Sequence, residues 1–524
     1  METTATASWR RLLLGAVAVL ILSAAFAQAA SARTAYVASY YSDAVYAVDA
    51  ATNAPIGAPI STGAESGPYT LAISPDGRTV WVVNYKSGTL ISIDTATNQV
   101  VGAPILIPED AYPIAITPDG SRAYIGDPDD DGVVAVDLLT RQVLGGVIHT
   151  GGGADGVSIT PDGRFAYVSN YDDGTISVID IAANQVVGSP IPGGESPYYS
   201  ALTPNGGTLF VADTEGFVRT VNLASRLPGP SITAGEDTTD VAVTPNGARV
   251  YAVNYDTDSA TVIDAATLQT VGAPIQVSDK PEFVTVTPDG RRALVANWAE
   301  PKVLAIDTAL NQAVGPSAPI GEGSGTVEVV PDQSPTAAFA FGRARPGAPL
   351  ELNASTSTDP DGAVAGFAWL FGDGQSNTVA TPIASHKYSK PGSYAVTLTV
   401  TDNEGCSVAL VFTGQTASCH GNPAATLTQV VKVVYPGVKV RCPSSADGSC
   451  RIKLKAVTRK KGKLKAESKV ALAKVKPGKS KVVSLKPRKA FAKKLAKANK
   501  VLVQQIVKVD GKTTTKLKRL KVVR

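Results

Sequence analysis

Acidic side chains are the residues of this sequence whose type and spacing could do the clearest chemistry. The stretch "DPDDDG" at 127–132 places Asp127, Asp129 and Asp131 at alternating positions of a predicted hairpin turn. Carboxylates at this spacing can share a Ca²⁺ ion. The stretch "DPDG" supplies a second pair, Asp359 and Asp361. We expect calcium at these residues or, as the alternative, solvated acidic turns.

The sequence has few of the side chains and motifs that enzymes use for catalysis. The chain has three histidines, His149, His386 and His420. It contains no complete "GxxxxGK[S/T]" phosphate loop, no "GxSxG" elbow and no "HExxH". Nucleophilic and metal-redox mechanisms therefore lack their usual parts. We expect a noncatalytic protein with no cofactor other than calcium.

The four cysteines all lie in the second half of the chain and allow three pairings. Pairing of neighbours, Cys406 with Cys419 and Cys442 with Cys450, keeps each disulfide within one segment. Export of the protein would favour such bonds. A metal site of Cys406, Cys419 and His420 is the alternative, although the spacing fits no usual zinc pattern.

The first 32 residues are typical of an export signal. Arg10 and Arg11 precede the apolar run "LLLGAVAVLILSAAFA", and small-residue cleavage sites follow near residue 30. An uncleaved membrane anchor is the alternative. The sequence has no second long apolar stretch. We therefore predict a signal peptide at 1–32 and a secreted, cell-surface protein without a transmembrane span once the signal is removed.

A repeated phrase organises the next 300 residues. Turns of the type Pro-Asp/Asn-Gly, with a final variant "PDQ", recur at spacings of 43, 43, 43, 41, 43 and 43 residues. They begin at Pro75, Pro118, Pro161, Pro204, Pro245, Pro288 and Pro331. A period of 40–45 residues with several short strands per unit is typical of a β-propeller blade.

Each unit contains four predicted strands, such as "YTLAI", "TVWVV", "TLISID" and "QVVGAPI". Asn84 and Asp94 recur at fixed places beside turns, where Asn and Asp bond the local backbone, so we interpret them as structural. The late strand "TVEVV" at 326–330 lacks partners in its own unit. We predict that it pairs beside residues 35–60 and closes the ring, which removes an exposed sheet edge.

Seven related motifs accompany the turns, and together they carry a family resemblance. They are "YVASY", "WVVNY", "YIGDP", "YVSNY", "FVADT", "YAVNY" and "LVANW", beginning at residues 36, 81, 124, 167, 210, 251 and 294. These repeats resemble the YVTN family of β-propeller repeats found in surface-layer and other exported proteins. The resemblance implies a seven-bladed propeller over residues 33–332.

A different all-β segment follows. The stretches "DPDG", "WLFGDG" and "HKYSKPGSYAVTLTVTDNEG" over 335–435 resemble a PKD domain, which implies an immunoglobulin-like β-sandwich that acts as a spacer or interaction module. Trp369 is expected in its core, and Gly372–Asp373–Gly374 in a tight turn. Some PKD domains bind calcium, which bears on Asp359 and Asp361.

Residues 436–524 are strongly basic. They hold 29 Lys or Arg and 3 Asp or Glu, a net charge of +26, while the rest of the chain holds 20 and 42, a net of −22. Charged and apolar residues alternate in "CRIKLKAVT" and "KVLVQQIVKV", which predicts a small β-rich domain. "RKAFAKKLAKANK" predicts one short amphipathic helix. The segment resembles Lys-rich C-terminal domains of exported actinobacterial proteins.

This charge indicates polyanionic partners, bound in a salt-dependent way. An anionic polymer of the cell envelope or a surface protein fits an exported protein. Phe491 is the only aromatic residue after Tyr435, so specific nucleic-acid readout by base stacking is not expected. The alternatives are a merely solvated surface and docking against the acidic propeller, within one molecule or between molecules, which would allow self-association.

Taken together, the sequence predicts an all-β, exported, noncatalytic binding or scaffold protein. The propeller would serve as a ligand or partner platform, the PKD-like sandwich as a spacer, and the basic domain as the attachment to envelope polymers. Two alternatives remain open. One is a lactonase-like propeller hydrolase, which needs convergent polar residues in the channel. The other is a self-assembling surface-layer component.

Overall fold

The structure is a computed structural model that describes residues in the following ranges, together with Ser444, Ala446 and Ser449: 34–331, 333–359, 363–403, 411–412, 417–418, 424–435, 437–442, 450–460, 463–477, 479–488, 490–491, 500–509 and 512–523. The predicted signal peptide at 1–32 therefore lies outside the described residues. In the part of the chain that is described, no helix has the length and hydropathy needed to cross a bilayer. The chain divides into two compact units, and each is described by itself.

Residues 34–331, which belong to the first unit, contain thirty-three strands that form seven antiparallel sheets of four or five strands. The strands of the first three sheets, apart from the late strand that joins the first, are β1 (Thr34–Ser39), β2 (Ala44–Asp49), β3 (Ala54–Pro55), β4 (Ile60–Ser61), β5 (Pro68–Ile73), β6 (Thr79–Asn84), β7 (Thr89–Asp94), β8 (Gln99–Leu106), β9 (Ile114–Ile116), β10 (Arg122–Asp127), β11 (Gly132–Asp137), β12 (Gln142–Val143) and β13 (Ile148–His149).

The remaining strands of this unit follow the same order within each sheet. They are β14 (Ala154–Ile159), β15 (Phe165–Asn170), β16 (Thr175–Asp180), β17 (Gln185–Val186), β18 (Ile191–Pro192), β19 (Pro197–Leu202), β20 (Thr208–Asp213), β21 (Phe217–Asn222), β22 (Leu227–Pro228), β23 (Ile232–Thr233), β24 (Thr238–Val243), β25 (Arg249–Asn254), β26 (Ser259–Asp264), β27 (Gln269–Thr270), β28 (Ile275–Gln276), β29 (Pro281–Val286), β30 (Arg292–Asn297), β31 (Lys302–Asp307), β32 (Gln312–Pro319) and β33 (Ser324–Val329).

Local side-chain bonds explain why the repeated phrase folds this way. In the turn between β5 and β6, Asp76 Oδ1 accepts hydrogen bonds from Ser74 Oγ at 2.6 Å and from Arg78 N at 3.1 Å. At the end of β7, Asp94 Oδ1 accepts a bond from Thr97 N at 2.9 Å. These bonds hold the turns, so the structural interpretation of the repeated Asp residues is confirmed.

The outermost strand is the element that departs most from the prediction. "QVVGAPI" forms the single strand β8, but five of the seven sheets have two short strands in its place, such as β12 and β13. Gly145 and Gly188 lie between such pairs with φ of 74° and 82°. Gly102 and Gly315 also have a left-handed φ of 72° inside the single strands β8 and β32, where the ladder continues through a register shift. The glycine conformation therefore bends the outer strand in these sheets without by itself dividing it.

The innermost strands of the seven sheets contact one another in sequence order. β5, β9, β14, β19, β24, β29 and β33 each contact the next, and β33 contacts β5. The approach is close at Gly325, where a Cβ atom would overlap the carbonyl oxygen of Tyr69. Next to it, Thr326 Oγ1 accepts a hydrogen bond from Leu71 N at 2.7 Å. The repeated sheets and this ring of contacts fit a β-propeller.

The late strand β33 completes the first sheet, as the sequence predicts. It pairs antiparallel with β1, with Ala35 opposite Val329 and Val37 opposite Val327. The sheet order is β3-β2-β1-β33. The first and last parts of the repeat region are therefore held in one sheet, and β1 has no free edge.

Neighbouring sheets are joined by the aromatic residue of the repeated motif. Tyr36 donates a hydrogen bond to Asn98 Oδ1 at 2.6 Å, and Tyr124 donates one to Asn184 Oδ1 at 2.8 Å. Asn98 and Asn184 have φ of 53° and 55°, a conformation that Asn tolerates better than most residues. One side chain thus serves both a turn and the joint between two sheets.

The PKD-like segment forms two main sheets in the second unit. Their orders are β34-β35-β38 and β37-β36-β39-β42. β40 and β41, which are assigned to the first unit, form a separate two-stranded sheet. The strands are β34 (Ala340–Phe341), β35 (Leu350–Asn353), β36 (Gly366–Leu370), β37 (Ser376–Val379), β38 (Ile383–His386), β39 (Gly392–Thr401), β40 (Val411–Phe412), β41 (Ala417–Ser418) and β42 (Ala424–Val433). Trp369 is fully buried, as predicted, with its ring 5.2 Å from that of Phe339.

The basic segment also folds into strands, which form one seven-stranded sheet in the order β45-β44-β48-β49-β43-β47, with β46 paired to β44. The strands are β43 (Gly437–Arg441), β44 (Cys450–Lys460), β45 (Lys463–Ala466), β46 (Ala471–Val475), β47 (Ser480–Ser484), β48 (Lys500–Val509) and β49 (Lys512–Val523). Ile452, Leu454 and Val503 belong to its core. Of the predicted helix, Ala490 and Phe491 are helical, and residues 492–499 lie outside the described part.

Candidate functional site

One position of the innermost strand differs in chemistry from repeat to repeat, whereas the position four residues later is always aliphatic. Two residues before each turn proline, the side chain is always Ile, Leu or Val. Six residues before it, the side chains are Tyr69, Tyr112, Asp155, Tyr198, Thr239, Glu282 and Gly325. The constant position builds the core. At the variable position, the type of side chain changes from repeat to repeat while the strand itself is retained.

A β-bulge coincides with this variable position. The register of the innermost strand shifts between Pro68 and Thr70 and between Pro281 and Phe283, and corresponding shifts occur in the sheets of β14, β19 and β24. The residue inside the shift has no direct partner in the ladder. Bulges re-aim side chains in this way, often next to functional sites.

Two tyrosine–carboxyl pairs form among these residues. The Tyr69 hydroxyl donates a hydrogen bond of 2.5 Å to Glu282 Oε1, and the Tyr112 hydroxyl donates one to Asp155 Oδ1. Glu282 and Asp155 are each 8% exposed. Glu282 Oε2 is buried and has no hydrogen-bond partner among the described residues. The pairs thus link different sheets and leave one carboxyl oxygen unsatisfied.

Burial controls the protonation of these carboxyl groups. It raises the pKa of Glu282 to about 8 and the pKa of Asp155 to about 6, because the ionised forms lose solvation. It also raises the pKa of Asp240 to about 8, although Val241 N and Val284 N donate to that carboxyl. At neutral pH, Glu282 and Asp240 are therefore mainly protonated.

Seven aromatic rings line a cavity of about 310 Å³ in this unit. They are Tyr40, Tyr41, Tyr69, Tyr85, Tyr112, Tyr198 and Trp298. Tyr69 meets Trp298 at 89° with ring centres 5.9 Å apart, and Tyr40 meets Tyr41 at 86° and 5.0 Å. These rings present edges and faces around a common space.

Two sequence positions supply most of this aromatic lining. Tyr40, Tyr85 and Trp298 each follow the last residue of the strand that carries the YVTN-like motif, in three different sheets. Tyr69, Tyr112 and Tyr198 come from the variable position of the innermost strand. The ammonium group of Lys86 lies 4.2 Å from the centre of the Tyr40 ring and 5.5 Å from that of Tyr41.

The acidic residues predicted to bind calcium in the turn after β10 differ in their exposure. Asp127 is 1% exposed, and its Oδ1 accepts a bond from Asp130 N at 3.3 Å, whereas Asp129 and Asp131 are exposed. Burial raises the pKa of Asp127 to about 6. Among the described residues, no group of three or more His, Cys, Asp or Glu side chains could hold a metal ion.

The second calcium candidate and the cysteines are described in part. Asp359 lies within the described residues and Asp361 outside them. Cys442 and Cys450 form a disulfide in the basic segment. Cys406 and Cys419, together with His420, lie outside the described residues, so their pairing stays a prediction.

A row of opposed cations crosses the sheet of the basic segment. Arg451 on β44 lies directly opposite Lys474 on β46 and directly opposite Lys508 on β48. All three side chains are exposed, and none forms an ion pair among the described residues. Like charges placed directly opposite each other destabilise a sheet. This row of cations (Arg451, Lys474 and Lys508) is suited to an anionic partner.

Comparison with known proteins identifies one domain. Residues 332–414 match the family model of the PKD domain. The pre-pro-metalloprotease PrtV of Vibrio cholerae is 50% identical over 56 residues, which are 11% of this chain and 6% of the protease. A microbial collagenase of Vibrio alginolyticus is 34% identical over 80 residues, which are 15% of this chain and 10% of the collagenase. The matched part thus spans no more than a tenth of these relatives.

Solved structures share the architecture of the larger part of the chain. A functionally unknown protein from Desulfotomaculum acetoxidans superposes with a TM-score of 0.51 at 16% identity, covering 57% of this chain and 98% of that one. A putative 6-phosphogluconolactonase from Bacteroides fragilis gives 0.50 at 17%, with the same coverage. At this identity the likeness concerns the fold alone. The chain is thus an all-β protein with repeated propeller-like sheets and a PKD domain.

The aromatic cavity and the tyrosine–carboxyl pairs were missed by sequence reasoning. The repeats were interpreted as structural because their shared residues are structural. The signal lies in the residues that the repeats do not share, which become visible when the units are aligned on their turn prolines. Tyr, Asp, Thr and Glu at this position, four residues before a position that is always aliphatic, mark this difference.

Proposed function

We propose that the chain is an exported, noncatalytic binding protein of the cell surface. In this proposal its seven sheets are the blades of a seven-bladed YVTN-type propeller that presents the aromatic cavity to a ligand. The PKD domain is a spacer or interaction module, of a kind found on extracellular proteins. The basic segment attaches the molecule to an anionic polymer of the cell envelope.

The row of cations is the observation that carries the attachment role. Arg451 has a cation on both sides in the sheet register. Of the three acidic residues of 436–524, Glu467 is the one that the structure describes, and its Oε1 accepts a bond from Thr458. A sheet that keeps opposed cations gains stability when an anionic polymer neutralises them and its counterions are released.

Sedimentation with isolated cell envelope across a salt series tests this function. The full chain is expected to pellet with envelope at low salt and to be released progressively as salt rises, because counterion release drives the binding. A soluble polyanion is expected to compete. Binding that does not respond to salt or to the polyanion would contradict attachment by charge.

A hydrolase is the second candidate, and the tyrosine–carboxyl pairs favour it. Asp155 has a pKa raised to about 6 by burial and bonds the hydroxyl of Tyr112, as a general base could. The cavity lining itself consists of aromatic side chains, with no carboxyl group among the residues that line it. Turnover of a lactone or an ester that disappears in Asp155→Asn would establish the hydrolase. The binding role predicts no turnover.

A further inference from the structure

We propose that the aromatic cavity binds a small organic ammonium ion. The inference rests on the proposed role of the repeat unit as a ligand platform and names the chemical class of the ligand. Seven rings around about 310 Å³ provide several negative ring faces at once. An alkylated ammonium group is attracted to such faces, and its apolar surface tolerates the loss of water on entering the cavity.

The ring arrangement favours a compact cation over a flat ligand. Tyr69 lies at 71° to Tyr85 and at 89° to Trp298, with ring centres 6.1 and 5.9 Å apart. Tyr41 lies at 61° to Trp298. A sugar or a nucleobase stacks on one broad aromatic plane, and these rings do not share a plane. Rings that meet near right angles can instead surround a roughly spherical group.

Acidic groups next to the rings set the sign of the charge that the cavity prefers. Two of its tyrosines, Tyr69 and Tyr112, donate hydrogen bonds from their hydroxyl groups to Glu282 and Asp155. A phenol that donates to a carboxyl group has a more electron-rich ring, which attracts a cation more strongly. Glu282 Oε2 is buried without a partner among the described residues. Asp155, with a pKa of about 6, is mainly ionised at neutral pH, so its charge favours a cation near the rings and disfavours an anion, whereas the protonated Glu282 contributes a neutral acceptor oxygen.

The chain already places one ammonium ion at this cavity. Lys86 Nζ lies 4.2 Å from the centre of the Tyr40 ring and 5.5 Å from that of Tyr41. Both rings line the cavity. Their faces therefore accept a cation in the geometry that the inference requires. Lys86 also competes with an incoming cation, because two like charges would then share the same rings.

Calorimetric titration of the full chain with choline and with its neutral isostere 3,3-dimethylbutan-1-ol tests the inference. The two probes have nearly the same shape and differ in charge. Choline is expected to bind about tenfold more tightly, which is the range of a desolvated cation–π contact. Equal affinity for the two probes would overturn the ammonium inference and leave an apolar ligand site.

Two variants locate the binding. Trp298→Ala is expected to weaken choline binding about tenfold, and Trp298→Phe to weaken it less, because Trp is the strongest cation–π partner. Tyr255→Ala is the matched control: Tyr255 occupies the same motif position as Trp298 and is not among the residues that line the cavity. Equal losses in Trp298→Ala and Tyr255→Ala would contradict binding in this cavity.

The sign of the preferred charge is tested at Lys86. Lys86→Met removes the internal cation, so choline is expected to bind about two- to fivefold more tightly. Weaker choline binding, or tighter binding of acetate to the unchanged chain than of choline, would overturn the inference. Phosphatidylcholine vesicles form a separate arm, since cosedimentation would identify a lipid headgroup as the source of the ammonium group and binding of free choline alone would identify a soluble ion.

Failure of this inference is distinguishable from failure of the proposed function. If the neutral isostere binds as well as choline, the ligand platform stands and its ligand class changes. If neither probe binds, the ammonium inference is wrong. Attachment by the row of cations is measured separately by the salt series, and no residue of that row lines the aromatic cavity.

Discussion

At the scale of single residues, the buried carboxyl groups make the stability of the protein depend on pH. Glu282 lies in the bulge of β29 with one oxygen bonded to Tyr69 and the other without a partner among the described residues. In an unfolded chain a glutamate ionises near pH 4.3, whereas burial raises the pKa of Glu282 to about 8. Between these two values the folded protein keeps a proton that the unfolded chain has lost.

This difference predicts that stability falls as the pH rises. Each pH step above about 4.3 favours the unfolded chain until Glu282 ionises in the folded protein near pH 8, after which this loss stops. The unfolding midpoint in urea is therefore expected to decrease from about pH 5 to about pH 8. Glu282→Gln, which resembles the protonated acid, is expected to reduce that decrease.

An exposed glutamate provides the control for this prediction. Glu322→Gln changes the same functional group at an exposed position and is expected to leave the pH dependence unchanged. Asp240, with its pKa near 8, contributes in the same direction, so Asp240→Asn should add to the effect of Glu282→Gln. A pH dependence that is identical in all variants would show that Glu282 does not hold a proton at neutral pH.

At the scale of elements, the joints between neighbouring sheets show matched side chains. Where the motif has Tyr36, Tyr124 or Tyr251, the residue in the turn of the next sheet is Asn, at 98, 184 and 311. Where the motif has Trp81, the matching residue is Arg141, whose guanidinium lies 5.0 Å from the ring centre. Phe210, which has no hydroxyl, packs with Leu268 in one apolar cluster.

This matching predicts that Tyr36 and Asn98 are energetically coupled, which a double-mutant cycle measures. Tyr36→Phe removes the donor of Asn98 Oδ1, and Asn98→Leu leaves the Tyr36 hydroxyl with only its longer bond of 3.4 Å to Thr95 O. Each variant is therefore expected to lower the free energy of unfolding by about 1 kcal/mol. The double variant copies the native Phe210–Leu268 pair and is expected to recover part of the loss, with a coupling of about 0.5–1 kcal/mol. Urea denaturation of all four proteins measures it.

Additive losses in the free energy of unfolding would contradict the proposed coupling between Tyr36 and Asn98. Asn98 and Leu268 share a positive φ, 53° and 56°, so Leu is tolerated at such a turn in this chain. If the losses of the two single variants add in the double variant, the side chains act independently. The joint between the first two sheets would then depend on backbone and apolar contacts alone.

The positions of the strands could be predicted from the sequence, whereas the split of the outer strand and the aromatic cavity could not. β5, β6 and β7 follow from the apolar runs around the Pro-Asp-Gly turn, because turn residues and alternation are local signals. The pairing of β33 with β1 was predictable since an unpaired strand needs a partner. The split of the outer strand was not predictable, because Gly102 inside the single strand β8 and Gly145 between β12 and β13 have the same left-handed conformation. The cavity was not either, because it requires knowing which sheets become neighbours.

At the scale of the whole molecule, charge separates the chain into two parts. Residues 436–524 carry a net charge of +26 and the remainder −22. This division and the β-rich nature of the basic segment could be read from the sequence. Which cations lie opposite one another could not, because strand order in the sheet β45-β44-β48-β49-β43-β47 is set by long-range pairing. That register places Arg451 between Lys474 and Lys508, and it also places Lys500 opposite Lys521.

Two matched charge variants of the full chain test the central claim, attachment through the row of cations. Arg451, Lys474 and Lys508 are changed to Gln in one variant. In the control, Lys439, Arg441 and Lys481 are changed to Gln; these are also exposed, but their neighbours in the β43–β47 pairing are neutral. Both variants lose the same charge, so a difference between them reports the position of the charges.

The measurement is sedimentation with isolated envelope at a series of salt concentrations. The row variant is expected to bind more weakly than the control and to lower the slope of log affinity against log salt by about 2, since each neutralised contact contributes about 0.7–0.9. Equal binding by the row variant and the unchanged protein, with the same salt slope, would contradict the account.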